Sequence, residues 1–335
     1  MTGVNRQIRL ARRPVGEVRP EDWTHTEEPV PVPGEGEFLG RTRYVSLDPA
    51  MRGWLDDRPS YLPPVGLGEV MRAGSVVEVL ASDHPEFRVG DLVVGAFGVQ
   101  EYAVSDGKGA FRIDPALAAP STYLGALGMP GMTAYFGLLE VGALKEGETV
   151  VVSGAAGAVG TMVGQIARLK GCRVVGIAGG PEKCAVLTGE LGFDAAIDYR
   201  TEDVRKALRA HAPDGIDVYF DNVGGPVLDA ALTRLAMHAR VVLCGAISQY
   251  NTEGAVQGPS NYLALLVRRA RMEGFVVFDY ARRYPEAAAE LAGWIGDGRI
   301  KVKEHLVEGT VADFPATLGM LFRGENTGKL VLRLT

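Results

Sequence analysis

The sequence predicts an α/β protein in which a doubly wound parallel sheet is joined to a β-rich domain. Three observations carry this. From about residue 127 short apolar runs alternate with helix-patterned segments, the stretch VVSGAAGAVGTMVGQIARLKG at 151–171 reads as strand, glycine loop and helix, and the first third holds β-type runs punctuated by Pro and Gly. At 335 residues the chain exceeds the roughly 250 to 300 at which single cores stop growing, so two domains are expected.

In chain order, FLGRTRYVSLD, GSVVEVLAS and DLVVGAFGVQEYAVS are the strand candidates of the β-rich part, separated by turn signals at PGEGE, 33–37, and RVGD, 88–91. Beyond residue 127 strands are expected at 149–153, 173–177, 195–198, 217–221, 240–244 and 274–278. Helices are expected between them at 158–170, 181–191, 203–211, 226–236, 260–269 and 285–296. Short apolar strands separated by helices mean a parallel sheet covered on both faces, which binds ligands beyond the carboxyl ends of its strands. The tail holds one more helix pattern and then an alternating strand, KLVLRLT, which needs a sheet to join and is placed back in the first domain. The expected domains are therefore 1–126 with 300–335, and 127–299.

Composition narrows the function classes. Hydrophobic residues at 47% and charged residues at 23% are those of an ordinary globular protein. A net charge of −6 argues against a nucleic-acid partner, which needs a basic face. The one basic cluster, RRARM at 268–272, reads as a helix end. No run approaches the 18 or so apolar residues of a membrane span. Arg6, Arg9, Arg12 and Arg13 are not followed by the apolar region of a signal peptide, so the expected address is the cytoplasm. Cys172, Cys184 and Cys244 show no CxxC spacing and are expected as small packed residues.

The glycine loop is the strongest functional signal. An apolar strand delivers the chain to Gly154, Gly157 and Gly160, and an amphipathic helix follows with Val159, Met162, Val163, Ile166, Ala167 and Leu169. Glycines allow a tight turn and close approach to a pyrophosphate, and the helix amino terminus offers free N–H groups and a positive dipole. No GK[ST] follows, which excludes a Walker loop. A Rossmann-type dinucleotide site is expected.

The end of the second strand selects the dinucleotide. An NAD site usually places Asp or Glu there for the ribose 2′-hydroxyl, whereas a 2′-phosphate requires that charge to be absent and a cation nearby. Here VVGIAGGPEKC puts Ala178, Gly179 and Gly180 at that place and Lys183 just beyond, so the expected cofactor is NADPH. Glu182 must then point away, as a first-turn acid favoured by the helix dipole.

A β-rich domain followed by a dinucleotide-binding one is the arrangement of the medium-chain dehydrogenase/reductase superfamily, which this chain resembles along nearly its whole length. The resemblance implies a GroES-like barrel for the β-rich domain. The zinc-binding alcohol dehydrogenases of that superfamily carry a GHE motif, where this chain reads LGEV at 67–70; its cysteines all lie in the second domain, and His25, His84, His211, His238 and His305 are scattered singly. No metal site is expected, and without a Lewis acid to form an alkoxide alcohol oxidation is not the expected reaction.

The match narrows through RQIRLARRPVGEVRPED, VSLDPAMRGW, GMPGMTAYFGLLEVG, the glycine loop through GGPEKC, YFDNVGG, CGAISQYN, RMEGFVV and GENTGKLVL. Together these motifs are similar to the zinc-free prostaglandin reductase, leukotriene dehydrogenase and alkenal double-bond reductase family, including its bacterial curcumin-reductase-like members. The resemblance implies NADPH-dependent reduction of the C=C bond of α,β-unsaturated ketones and aldehydes. It places cofactor contacts on Ala155, Gly157, Ala158, Val159 and Gly160, on Gly179, Lys183 and Tyr199 around the 2′-phosphate, and on Asn222 and Tyr250. Phe275, Val276, Val277 and Asn326 would border the nicotinamide. It also implies a homodimer joined through the cofactor domain.

Reducing a conjugated alkene requires a hydride at the β-carbon, a donor for the enolate oxygen and a proton at the α-carbon. A tyrosine hydroxyl or a cofactor ribose hydroxyl would serve as donor; Tyr61, in the Pro-flanked loop DRPSYLPPVG, matches a tyrosine that some members of the family place near the substrate and is the first candidate residue, with Tyr262 the second. Packed aromatics are the alternative for both. Where many relatives read DPYMR this chain has Ala50, which points to a wider substrate pocket. Quinone reduction, or NADPH binding without chemistry in a structural or RNA-associated protein, are the competing readings.

Overall fold

The computed structural model describes residues 3–335; the expected first domain begins at residue 1, and Met1 and Thr2 lie outside the described residues. Contacts divide the chain into two compact units, one running to Leu124 and resuming at Glu304–Thr335, the other Gly125–Lys303.

In the first unit β1 (Val4–Leu10) and β2 (Trp23–Pro29) form an antiparallel pair. The main sheet is built from β3 (Phe38–Ser46), β4 (Ser75–Ser82), β5 (Leu92–Gly95), β6 (Tyr102–Ser105) and β7 (Phe111–Ile113), with α1 (Met51–Trp54) on the chain between β3 and β4. β3 and β4 contribute Phe38, Val77 and Val79 to one cluster, with Phe87 and Phe97, and Val45 to another, with Leu47, Met51 and Phe314. Three elements from the end of the chain complete the unit and are taken up below.

The second unit opens with α2 (Met129–Phe136) and then alternates β8 (Thr149–Ser153), α3 (Ala158–Leu169), β9 (Arg173–Ala178), α4 (Pro181–Ala185), β10 (Ala195–Asp198), α5 (Val204–His211), β11 (Ile216–Asp221), α6 (Gly225–Leu232), β12 (Leu235–Leu243), α7 (Leu263–Arg268), β13 (Arg271–Gly274) and α8 (Tyr284–Gly296). All six strands are parallel, in the order β10-β9-β8-β11-β12-β13. Side chains alternate strictly between faces. Val150, Val152, Val218 and Phe220 pack with Met162, Val163 and Ile166 of α3. Val151, Val175, Ile177 and Tyr219 pack on the other side with Leu208 of α5 and Leu228 of α6. Each such fully buried apolar side chain contributes about 1.5–3 kcal/mol, which is why the strands read as continuous Val- and Ile-rich runs. The strand order reverses between β8 and β11, and the crevice at the carboxyl ends of that pair is the place where such sheets take ligands.

Three expected elements shift. The sixth strand lies at Arg271–Gly274, not 274–278; the chain leaves the sheet at Gly274, and Val277–Arg283 forms a 3-10 helix. The helix expected at 226–236 ends at Leu232, because Leu235 already pairs with Ile216. Three extra residues are then accommodated in β12 before Arg240 pairs with Val218, with His238 at φ +60°. The helix expected at 260–269 is confined to Leu263–Arg268, closed by Arg269 in the left-handed region.

The chain returns to the first unit with β14 (Glu304–Gly309), α9 (Phe314–Arg323) and β15 (Lys329–Leu334). KLVLRL lies between β14, parallel to it, and β3, antiparallel. Its Lys329 is buried, donating to the carbonyl of Leu47 at 2.7 Å and to the Asp48 carboxylate at 2.6 Å.

Candidate functional site

The carboxyl end of β8 turns at Gly154, whose φ of +58° is open to glycine at little cost. The Ala155 N–H donates to Ile177 O at 3.0 Å and the Gly157 N–H to Gly154 O at 3.0 Å, folding the loop back on itself. Gly157 is the extended residue before α3, so the N–H groups of Ala158, Val159 and Gly160 open the helix with no intrahelical acceptor. A Cβ on Gly160 would lie 2.4 Å from the Gly154 carbonyl oxygen and 2.7 Å from the Ala155 Cα. That contact is what lets the helix start directly on the strand end. The cradle suits a pyrophosphate.

Across the switch point, β11 ends in a buried carboxylate. Asp221 accepts from Ser153 Oγ at 2.8 Å, from the Tyr219 hydroxyl at 3.1 Å, and from the N–H groups of Val223 and Gly224 at 3.2 and 3.1 Å. Burial pushes the Asp221 carboxyl above its ordinary value, against those hydrogen bonds. Ser153 Oγ in turn accepts the Asn222 N–H at 2.9 Å, and Asn222 Nδ2 donates to Ser153 O at 2.7 Å. Asn222 is thereby fixed between the ends of β8 and β11. Its Oδ1 is the remaining acceptor of that side chain.

The ends of β9 and β10 lie side by side, Ala178 opposite Asp198. Gly179 faces the Tyr199 ring, and a Cβ there would meet ring atoms and hydroxyl at 2.9 Å. Gly180 has φ +99°, and its N–H donates to Asp198 Oδ1 at 2.8 Å. Asp198 also accepts from the Arg200 N–H and Thr201 Oγ1, each at 3.0 Å, and the Gly180 hydrogen bond holds its carboxyl below the usual value. Lys183 is half-buried in α4; burial, and then the Arg200 cation, hold its pKa below the ordinary lysine value. Glu182 is exposed in the first turn of α4.

The sheet thus gathers the glycine loop, Asn222, Gly179, Lys183 and Tyr199 along the carboxyl ends of β8–β11. The other expected residues are placed as follows. Tyr250 sits after β12, its hydroxyl accepting the Ala246 N–H at 3.1 Å. Phe275 turns inward onto Phe220, with centroids 6.5 Å apart, and Val277 is buried in the same core. Val276 lies between them in extended conformation. Tyr262 is 58% exposed at the start of α7 rather than a core residue of it. In the first unit, Tyr61 is 52% exposed on the loop after α1, and Asn326 is buried with Nδ2 donating to Gly328 O at 2.8 Å. Cys172, Cys184 and Cys244 are free thiols, and burial pushes Cys244 up to about 12. Among the described residues no three His, Cys, Asp or Glu side chains come together as a metal-ligand set, and no helix is long and apolar enough to cross a membrane.

A six-stranded parallel sheet reversing at a glycine cradle defines a dinucleotide-binding domain of the dehydrogenase type. Residues 6–113 match the family described as N-terminal domain of oxidoreductase, and residues 158–293 the family described as zinc-binding dehydrogenase. The chain is 45% identical to the NADPH-dependent curcumin reductase of Escherichia coli K12, over 98% of this chain and 97% of that protein. It is 42% identical to the NADP(+)-dependent 2-alkenal reductase of Nicotiana tabacum, over 90% and 88%. The crystal structure of CurA from Vibrio vulnificus in complex with NADPH superposes with a TM-score of 0.93 at 47% identity, over 98% of this chain and 99% of that one. The chain belongs to the zinc-independent family of medium-chain dehydrogenases/reductases to which these curcumin and alkenal reductases belong.

Proposed function

We propose that the protein is an NADPH-dependent reductase of the C=C bond of α,β-unsaturated aldehydes and ketones. The observation that carries the reading is the strand end at β9, where Gly179, Gly180 and Lys183 stand in place of the acid that an NAD site uses, next to a glycine cradle for the pyrophosphate. A family relationship at 42% identity to a reductase named for 2-alkenals supports the substrate class.

The residues fit the cofactor. The N–H groups of Ala158, Val159 and Gly160 would take the pyrophosphate, Lys183 and Tyr199 the adenosine 2′-phosphate. Asn222, Tyr250, the backbone of Phe275, Val276 and Val277, and Asn326 would take the nicotinamide half. When bound, NADPH supplies the hydride for the β-carbon. What the chain adds is orientation and a donor for the negative charge that develops on the carbonyl oxygen. Tyr61, 52% exposed, is the first candidate for that donor, and Tyr262 the second. A hydrogen bond aimed at an oxygen that becomes anionic strengthens as the charge grows, so it lowers the barrier more than it tightens substrate binding. The same reading includes a homodimer through α7 and the edge strand β13, where Leu263, Leu266 and Val267 are exposed.

The test is NADPH oxidation with a panel of 2-alkenals, conjugated ketones, saturated aldehydes and simple quinones, with products identified by mass. Saturated carbonyl products from the conjugated substrates are expected. No turnover of any conjugated aldehyde or ketone overturns the reading, and a higher kcat/KM for quinones moves the function to quinone reduction. Light scattering at micromolar concentration tests the dimer.

A further inference from the structure

We propose that Arg200 is a second cation of the adenosine 2′-phosphate subsite, facing the phosphate together with Lys183 from the neighbouring strand end. The inference rests on the NADPH reading and adds to it a residue outside the set implied by the family resemblance.

The geometry begins with the parallel pairing of β9 and β10, which brings Gly179 and Gly180 beside Tyr199 and Arg200. The Tyr199 N–H donates to Ala178 O at 3.1 Å, so both chains turn out of the sheet at the same level. Asp198 then ties the turns to one another, since one carboxylate oxygen takes the N–H groups of both Gly180 and Arg200 and the other takes Thr201 Oγ1. Asp198 thereby organises the backbone of both turns. The Arg200 guanidinium reaches over the first turn, its Nη1 3.9 Å from where a Cβ of Gly180 would be. A Cβ at 180 would stand in ordinary van der Waals contact with it. Two cations held at one strand end repel each other, which disfavours the empty site and favours a group carrying two negative charges. The depressed pKa of Lys183, partly caused by Arg200, is in keeping with that proximity. A planar guanidinium also presents paired donors to a phosphate, whereas an ammonium acts as a point charge.

The experiment is titration calorimetry of wild type, Arg200→Gln and Lys183→Ala with NADP+ and NAD+, and with 2′,5′-ADP and 5′-AMP. Arg200→Gln is expected to raise Kd for NADP+ and 2′,5′-ADP about tenfold and to leave Kd for NAD+ and 5′-AMP in place, with Arg200→Lys recovering part of the loss. The double variant should bind NADP+ and NAD+ with similar affinity. Equal weakening of both nucleotides by Arg200→Gln, or no weakening, overturns the role of Arg200. A wild type that does not distinguish NADP+ from NAD+ overturns the NADPH reading itself. A wild type that distinguishes them while Arg200→Gln keeps the distinction leaves the NADPH reading standing and removes Arg200 alone.

Discussion

The Tyr199 ring lies flush with Gly179, so close that a Cβ on the glycine would stand 2.9 Å from the ring and its hydroxyl. Because Tyr199 is 47% exposed, its ring can yield without repacking the core. Gly179→Ala is therefore expected to change Tm by little while raising KM for NADPH severalfold. A large fall in Tm with unchanged KM would show that the contact is structural.

Gly160 is the contrasting case. The atoms a Cβ would meet there, Gly154 O and Ala155 Cα, are backbone and cannot rotate away. Gly160→Ala should cost about 1–3 kcal/mol of stability, the range for forced overpacking, and weaken cofactor binding with it. Urea unfolding with and without NADPH separates the two effects.

Lys183→Ala removes the cation assigned to the adenosine 2′-phosphate, a group that NADH lacks. Its KM for NADPH should rise at least tenfold while KM for NADH stays within twofold, as charge-assisted hydrogen bonds are the stronger ones. Steady-state kinetics with both nucleotides check this, and equal effects on the two refute the assignment.

Tyr61→Phe deletes one oxygen from an exposed side chain, so its stability cost should be negligible. If the hydroxyl serves the developing enolate, kcat should fall by about 10²-fold, as for other lost oxyanion donors, with KM little changed. An unaltered kcat returns Tyr61 to a packing role in the loop.

Asp198 supplies a pH test. Hydrogen bonding from Gly180 lowers its folded pKa below the ordinary 3.8, so its stabilising contribution is present above that value and is lost as pH falls through the folded pKa. The stability difference between wild type and Asp198→Asn should be constant from neutral pH down to about pH 5 and should shrink below it. Denaturant midpoints measured over that range decide. A difference that grows in acid contradicts the assignment.

Most of the cofactor unit was legible because its strands are buried on both faces and its loop chemistry is local. Val150 to Val152 and Val174 to Ile177 leave little choice but a covered strand. The misplacement of the sixth strand has the opposite cause: FVVF has the composition of a strand, but the residues that pair are the polar RMEG of an edge, where one flank is exposed and no apolar pattern is required. The early end of α6 was hidden because LTRLAM keeps a helical rhythm across the Thr233–Arg234 turn, and only pairing with Ile216 assigns Leu235 to a strand. Arg200 escaped for a similar reason. Its relation to Lys183 exists only through the adjacency of β9 and β10, and the available signal was the strand order itself, which sets the residues after the third strand next to those after the second.

The position of β15 between β14 and β3 bears on how the chain is made. The second unit is one continuous stretch, Gly125–Lys303, whereas the sheet of the first unit is finished only by residues near the end of the chain. Domains generally fold as units during synthesis. On the ribosome the order of maturation is therefore inverted: the middle of the polypeptide folds first, while strands synthesised long before it wait for their last neighbour, with the Tyr44–Ser46 stretch of β3, beyond the Phe38–Arg41 part that β6 pairs, open to intermolecular pairing until then.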